Sequence, residues 1–273
     1  MEILEKFVCG KHNDDDCEDG IVVTDDYVAV VDGSTSKTDF TFEGKKPGRM
    51  AMELVCEAIR NMPGDFIDYQ AIGFITDWIH DFYAKHGLLD HMEKNPLDRF
   101  AASAAIVSIS RKQLWMIGDC QAIVDDRKVL NEHPADATMA AARAAYIETA
   151  LQSGKTVEQL MEHDEGREFI MPFLRRQVVL RNNSESPLGY SAFDGFAVAM
   201  NKTRFESLVV ARWVVLASDG YPDLQLSLDS SEKFLKYKLE KDPLCIRDFK
   251  ATKGLKPGNK SFDDRCYVSF RLK

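Results

Sequence analysis

The sequence predicts an α+β domain in which helices cover antiparallel β-sheet. Short strand patterns joined by tight turns occur early in the chain and again near its end, and tracts with helical periodicity lie between them. Consecutive short strands of this kind favour antiparallel pairing. Strands and helices do not alternate regularly, and neither a G-x-G-x-x-G nor a P-loop pattern occurs, so a doubly wound parallel sheet is disfavoured.

The first strands form a predicted hairpin. Apolar residues 21–23 and 27–31 flank Thr24-Asp25-Asp26, whose polar residues are typical of a turn. Arg111-Lys112 marks a second tight turn. Further strands are expected at 104–109, 113–117, from 122, at 213–217 and at 266–272.

Two helices are predicted between the first and second groups of strands. Apolar residues recur at helical spacing over 47–61 and over about 66–85. Pro63-Gly64 supplies the stop signal between them.

The second half of the chain carries another helical tract, from about 134 to 175. Residues 182–206 contain many polar and turn-forming residues and are expected to form a loop. Asp229 and Glu232 have the spacing of a capping box, which predicts the start of a further helix.

Bulk composition restricts the class of protein. The 273 residues are 45% hydrophobic, enough for one large domain or two small ones. The net charge of −9 argues against non-specific binding to nucleic acid. No apolar run approaches the ~18 residues of a membrane span, and no secretory signal is evident at the start. Six scattered cysteines without a C-x-x-C pair indicate reduced thiols, so a cytoplasmic protein is expected.

Acidic residues lie at four predicted strand ends. Asp32 follows 27–31 and Asp219 follows 213–217, while Glu18-Asp19 and Asp263-Asp264 each precede a strand. In an antiparallel sheet the end of one strand lies beside the start of its neighbour. We therefore expect these carboxylates to converge on one edge of a single sheet.

Carboxylates gathered in this way predict a divalent cation. Without one they would repel and raise one another's pKa. Hard oxygen ligands favour Mg²⁺ or Mn²⁺ over zinc or copper, and a glycine such as Gly33 allows close backbone approach. Each Asp-Gly step alone is also compatible with an ordinary turn. The run Asp14–Asp16 is compatible with a solvated loop or with a cation site.

The motif series then resembles a known family. The segments CEDG, VAVVDGST, IGDCQAIV, WVVLASDGYPDL and DDRCYVSF are similar, in order and approximate spacing, to those of the PP2C-type (PPM) metal-dependent protein serine/threonine phosphatases. The similarity extends from about residue 8 to 272. ASDGYPD after an apolar strand is its most specific part.

This resemblance implies a four-layer α-β-β-α sandwich of two mainly antiparallel sheets. It implies a single domain over 1–273, with a helical or flap insertion at about 131–206. It also implies a centre for two Mg²⁺ or Mn²⁺ ions, with a weaker third, at one end of the sandwich. No covalent nucleophile is then needed, and the sequence shows no convincing Ser-His-Asp or Cys-His arrangement.

The resemblance also implies roles for individual residues. Asp32 would bridge two ions and form the catalytic pair with Asp219. The other implied ligands are Glu18, Asp19, the Gly33 carbonyl, Asp119, Asp223 and Asp263, with Asp264 as the alternative to Asp263; Asp119, Asp219 and Asp223 would hold the third ion.

Two features depart from the family pattern. Ser34 stands where many members have His or Met-Gly-Gly, and Asp14–Asp16 occupies the place of a phosphate-binding arginine. Lys11 or His12 could contact the phosphate instead, but lysine lacks the bidentate fork of arginine. A basic loop leads into Asp263 and is either solvated or attractive to a phosphorylated partner; it contains Lys250, Lys253, Lys256 and Lys260.

The expected function is therefore hydrolysis of phosphoserine and phosphothreonine in a phosphorylated protein substrate, with a metal-activated water as the nucleophile. Neither a nucleic acid nor a membrane is expected as a partner. Two alternatives stay open at this point: a PP2C-like binding or regulatory protein with little turnover, and a small-molecule phosphatase.

Overall fold

The structure is a computed structural model that describes residues 1–131 and 133–272. Two five-stranded antiparallel sheets lie face to face, with helices on their outer faces. The predicted four-layer α-β-β-α architecture is confirmed. None of the helices in the described ranges is long and apolar enough to span a bilayer.

Each sheet mixes strands from distant parts of the chain. Sheet 1 contains, in spatial order, β1 (Glu2–Cys9), β10 (Arg265–Arg271), β9 (Trp213–Ala217), β6 (Gln121–Val124) and β7 (Arg127–Leu130). Sheet 2 contains β2 (Asp19–Val23), β3 (Tyr27–Gly33), β4 (Ala102–Ser108), β5 (Gln113–Ile117) and β8 (Arg204–Ser207).

The central strands are buried on both faces, which explains their continuous apolar sequences. In β3, Val28 and Val30 contribute to the core between the sheets, whereas Ala29 and Val31 contribute to the core under the helices. Val214 and Leu216 of β9 complete the core between the sheets from the other side. Because successive side chains of a strand point to opposite faces, β3 contributes to both cores.

Three helices follow β3 in the chain: α1 (Pro47–Asn61), α2 (Asp68–Lys85) and α3 (Leu89–Lys94). Ile59 of α1 and Ile75 and Ile79 of α2 are fully buried in the core that they share with sheet 2. Pro47 occupies the first turn of α1, where its missing N–H has no cost.

The helix on the outer face of sheet 1, α7 (Leu228–Lys241), begins differently from the prediction. Ser227 is its N-cap and accepts a hydrogen bond from the Ser230 amide. Glu232 does not complete a capping box: its carboxylate accepts from Arg265 at 2.7 Å and from the Tyr221 hydroxyl at 2.6 Å. The predicted capping box is wrong because this glutamate binds the start of β10.

The segment between β7 and β8 contains three helices, α4 (Pro134–Gln152), α5 (Val157–Glu162) and α6 (Glu165–Arg176). The loop expected at 182–206 also contains the start of β8, which pairs with β5. The outer strands β1, β7 and β8 have no fully apolar face, so the hydrophobic pattern gave no strand prediction for them.

One buried arginine fastens α4 and α6 to the C-terminal part of the chain. Arg143 of α4 is fully buried and binds the Asp164 carboxylate through Nε and Nη2. Its Nη1 donates to the carbonyls of Leu244 and Ala251. Asp164 in turn caps α6 by accepting from the Arg167 amide. A single ion pair therefore fixes α4, α6 and the loop after α7 relative to one another.

Replacing Arg143 should destabilise the folded protein. We expect Arg143→Met to lower the free energy of unfolding by about 3–5 kcal/mol, because it leaves the Asp164 carboxylate and two carbonyls without their partner. Urea denaturation measures the change. The exposed Arg175→Met is the matched control and should stay within about 0.5 kcal/mol of wild type. A loss below about 1 kcal/mol for Arg143→Met would contradict this role.

Candidate functional site

The acidic strand ends meet where the two sheets come together, at one end of the sandwich. Glu18 and Asp32 belong to the β2–β3 hairpin of sheet 2, whereas Asp219 and Asp263 flank β9 and β10 of sheet 1. The expectation that they share the edge of a single sheet is wrong. Hydrogen bonds place β9 beside β10 and β2 beside β3 in different sheets, so the carboxylates approach one another across the sandwich.

Strand register positions two carboxylates on sheet 2, and a hydrogen bond from the same sheet holds a third. Asp19 lies directly opposite Asp32 in the β2–β3 pair, and Asp32 lies opposite Ser103 in the β3–β4 pair. The Ser103 hydroxyl donates to Asp119 Oδ1 at 2.8 Å. Side chains of directly paired residues lie on the same face, so like charges here are adjacent and destabilising unless they are neutralised.

Gly33 is required by close packing at this point. A Cβ atom on Gly33 would lie 2.0 Å from the Gly48 carbonyl oxygen and 2.9 Å from that of Glu18. The Gly33 amide also donates to the Glu18 carbonyl at 2.9 Å. No other residue fits between these backbone segments, so the Asp-Gly step is more than a turn signal.

The electrostatics of the carboxylates on sheet 2 are unfavourable. Burial, opposed by the Ser218 hydroxyl and reinforced by Asp263, raises the pKa of Asp19 to about 7. Burial, followed by repulsion from Asp19 and Asp219, raises the pKa of Asp32 well above its ordinary range. A nearby positive charge would therefore stabilise the ionised form of both carboxylates.

Asp219 has a more open position. Its side chain is accessible to solvent in the cavity, yet protein atoms surround it on several sides. Desolvation by these atoms, followed by repulsion from Asp263 and Asp119, raises the pKa of Asp219 above its ordinary value. An accessible carboxylate with a raised pKa is suited to bind an incoming cation.

Two lysines neutralise part of the cluster. Lys11 Nζ lies 2.9 Å from Asp264, 3.3 Å from Asp263 and 3.7 Å from Glu18. Lys253 forms an ion pair with the other oxygen of Asp263. Burial alone would raise the pKa of Asp263, but Lys253 and Lys11 hold it below its ordinary value.

Asp264 has a structural position. One of its oxygens accepts from the Lys11 amide at 2.7 Å, and the other accepts from the Glu18 amide at 3.3 Å. It therefore joins the start of β10 to the segment before β2, and it does not line the cavity described below.

Two buried oxygens in the cluster have no partner. Glu18 Oε1 and Asp19 Oδ2 are inaccessible and make no hydrogen bond with any described residue. An unpartnered buried carboxylate oxygen is costly, so native structures usually pair it with a donor or a metal. These orphaned oxygens and the surplus of carboxylates fit a hard divalent cation.

A cavity of about 100 Å³ lies at the centre of the cluster. It brings together the expected Asp32, Gly33, Ser34, Asp119, Asp219 and Asp263. It also contains side chains that the motifs did not indicate: Lys37, Ser103, Asp136 and Arg167. Asp136 and Arg167 belong to α4 and α6, between β7 and β8, so no local motif could have identified them.

Three expected residues lie elsewhere or have other partners. Asp223 forms an ion pair with Lys128 and does not line the cavity. His12 is exposed. Lys11 binds carboxylates, as described above, and does not line the cavity as a phosphate contact.

Among the described residues, one set of three side chains presents ligand atoms within 4.8 Å of one another: Asp119, His133 and Asp136. The larger acidic set around Asp32 and Asp219 is spread around the cavity and does not form so compact a triad. Asp119 belongs to both groups, because it lies between the sheets and the start of α4.

A wider groove of about 430 Å³ adjoins the cavity. The two share six residues: Asp119, Asp136, Asp219, Thr252, Lys253 and Asp263. Apolar side chains form much of the remaining wall of the groove: Leu130, Ala137, Ala140, Tyr221, Pro222, Phe249 and Phe262. The acidic cluster is therefore reached from a surface groove of the size of a ligand site.

Comparison with known proteins gives no match by sequence but several matches by fold. No family model matches the chain, and no curated protein matches it significantly. Solved structures do match. The catalytic domain of the serine threonine protein phosphatase PstP, in complex with two manganese ions, is 13% identical with a TM-score of 0.50, over 100% of both chains.

Two further structures match over similar lengths. The Mycobacterium tuberculosis phosphatase PstP/Ppp is 13% identical with a TM-score of 0.48, over 100% of both chains. The phosphatase Stp1 from Staphylococcus aureus is 12% identical with a TM-score of 0.46, over 98% of this chain and 94% of its own. At such identities the likeness concerns the fold: the chain has the sandwich fold implied by its resemblance to PP2C-type phosphatases, and it shares that fold with the PstP catalytic domain.

Proposed function

We propose that this chain is a Mg²⁺- or Mn²⁺-dependent phosphomonoester hydrolase that acts on phosphoserine and phosphothreonine in proteins. The observation that carries the proposal is the cluster of carboxylates, with two orphaned buried oxygens, at the junction of the sheets. The fold is shared with a serine threonine phosphatase domain whose structure holds two manganese ions, which supports the same use of this site.

The residues that would hold the ions are the carboxylates of the acidic cluster and one backbone carbonyl. Asp32 would bridge, Asp219 and Asp263 would complete one site, and Glu18 and the Gly33 carbonyl would complete the other, with Asp19 alongside Glu18. Ions held there would activate the attacking water and neutralise the charge of the phosphoryl oxygens.

The fold holds the carboxylates of the site in fixed positions. Asp19 and Asp32 are fixed by strand register and Asp119 by its bond from Ser103, so the carboxylates are positioned before any ligand arrives. The thiols near the site are unsuited to nucleophilic attack: Cys120 and Cys266 are fully buried, and burial raises the pKa of each well above its ordinary value. Direct attack by water is the route that these residues support.

The cysteines also bear on where the protein would act. All six are unpaired. Free thiols in a chain of this size fit a reducing compartment, and we place the proposed activity in the cytoplasm.

The weaker third ion is proposed at Asp119. Its carboxylate lines both cavities and lies close to His133 and Asp136. Asp223 is the weaker candidate because its carboxylate is paired with Lys128.

One observation favours a second candidate, a phosphatase-like binding protein with little turnover. Both oxygens of Asp263 are engaged by lysines, Oδ1 by Lys11 and Oδ2 by Lys253. If these ammonium groups are retained in place of an ion, the site would bind fewer metals than hydrolysis needs.

The first test of the proposal is Asp219→Asn. With Mn²⁺ present, we expect hydrolysis of an aryl phosphate and of a phosphoserine peptide to fall about 10²-fold or more, because the change removes a charged group from the reacting centre. EDTA should abolish the activity of the wild type. Asp229→Asn, an exposed change on α7, is the matched control and should retain wild-type rates.

Hydrolysis that survives both EDTA and Asp219→Asn would sink the metal-dependent mechanism. If the wild type hydrolyses neither substrate but binds Mn²⁺ tightly by calorimetry, the binding-protein candidate replaces the phosphatase.

A second test concerns the third ion. Asp119→Asn should raise the Mn²⁺ concentration needed for half-maximal rate by about ten-fold, the usual scale for losing one contact around a metal. Asp223→Asn should leave that concentration unchanged. Titration of the rate with Mn²⁺ measures both variants, and the reverse ranking would assign the ion to Asp223.

A further inference from the structure

The cavity at the centre of the acidic cluster also contains positive charge. Three cationic side chains line it together with the carboxylates: Lys37, Arg167 and Lys253. Lys253 is accounted for by its ion pair with Asp263. Lys37 and Arg167 have no such partner, and neither belongs to a motif of the sequence.

Lys37 is a half-buried ammonium group without a counter-ion. Its Nζ donates one long hydrogen bond, 3.4 Å, to the Thr35 carbonyl, and no ion pair joins it to a carboxylate within 1–131 or 133–272. Burial lowers its pKa to about 8, although Asp136 opposes this shift. A cation in such surroundings is stabilised when an anion enters the cavity.

Arg167 presents unused donors to the same space. Its Nη1 donates to the Thr252 carbonyl at 2.8 Å. In the part of the chain that the structure describes, Nε and Nη2 make no hydrogen bond. One edge of the guanidinium is therefore fixed to the protein, and the other donors are available to a planar or tetrahedral oxyanion.

Arg167 is held in place before any ligand arrives. It lies in the first turn of α6, whose N-cap, Asp164, is bound by the buried Arg143. Arg143 also binds the carbonyl of Ala251, next to the Thr252 that anchors Arg167. The guanidinium thus loses little conformational freedom on binding, which favours affinity.

The size of the cavity restricts the anion. At about 100 Å³ it is well below the roughly 300–1,000 Å³ of sites for whole drug-sized ligands. It admits a small group such as a phosphoryl group, while the adjoining groove of about 430 Å³ offers room for the rest of an ester. Cations and metal-binding carboxylates around one small space are the two components that phosphoryl binding requires.

We propose that Lys37 and Arg167 bind the phosphoryl group of the substrate and the inorganic phosphate that is released. They would take the role of the phosphate-binding arginine that the sequence lacks before Glu18. The proposal rests on the proposed phosphatase function for its substrate. It assigns this role to a loop after β3 and to the first turn of α6, two segments that meet only in the folded chain.

The test measures phosphate binding and turnover separately. Inorganic phosphate is titrated by calorimetry into the full chain with Mg²⁺, for wild type, Lys37→Met and Arg167→Met. Each change should weaken phosphate binding by about ten-fold or more, as expected for losing a charged hydrogen bond. The KM for an aryl phosphate and the inhibition constant of phosphate should rise in parallel. Arg167→Lys, which keeps the charge but not the fork, should lie between wild type and Arg167→Met.

Matched controls test whether the loss of any positive charge weakens phosphate binding. Lys256→Met and Arg175→Met remove exposed cations from the basic loop and from the end of α6, outside the cavity. Both should bind phosphate as the wild type does. Urea midpoints of all variants identify any that is misfolded, and Lys37→Met, in a surface loop, tests the proposal independently of α6.

The outcomes separate this proposal from the phosphatase function. Hydrolysis by the wild type, with phosphate binding unchanged in Lys37→Met and Arg167→Met, would overturn the proposal alone. Phosphate binding that depends on both residues, without hydrolysis of any ester, would support this site and overturn the phosphatase function. A wild type that binds no phosphate would overturn the proposal.

Discussion

Carboxylates from both sheets meet at one end of the sandwich, where their negative charges repel one another. Asp19 and Asp32 are paired across one hairpin, and Asp219 and Asp263 approach them from the other sheet. Such an arrangement opposes folding. It persists because the surrounding sheets are buried on both faces and fix the strand ends, and because Lys11 and Lys253 neutralise Asp263. We propose that a cation neutralises the remaining negative charge and pairs with the orphaned oxygens of the cluster.

The helices α4 and α6 contribute to the cavity from outside the sandwich. Through the Arg143–Asp164 pair they are fixed to the loop that carries Lys253, and through Arg167 they bring positive charge to a cavity otherwise dominated by carboxylates. The sandwich contributes most of the carboxylates of the cavity, and α6 contributes a group suited to an anion. A small polar cavity between them joins a largely apolar groove, so the proposed chemistry and the proposed substrate contact would occupy separate spaces.

Much of the architecture could be predicted from local pattern, and the exceptions have physical causes. Strands buried on two faces, such as β3 and β9, have continuous apolar sequences, whereas the outer strand β8 is polar and was expected to be loop. Asp32 and Asp219 were indicated by their strand ends. Their meeting across two sheets was not, because a sequence shows where strands end and not which sheet each one joins. Arg167 depends on the docking of α6, which no local motif encodes.

We propose that the acidic cluster binds divalent ions between the two sheets. A crystal structure of the protein grown with Mn²⁺, with anomalous difference density measured for manganese, tests it most directly. We expect two peaks in the cavity lined by Asp32 and Asp219, with any weaker third peak beside Asp119. Absence of density between Asp32 and Asp219, with Lys11 and Lys253 still bound to Asp263 at saturating Mn²⁺, would contradict it.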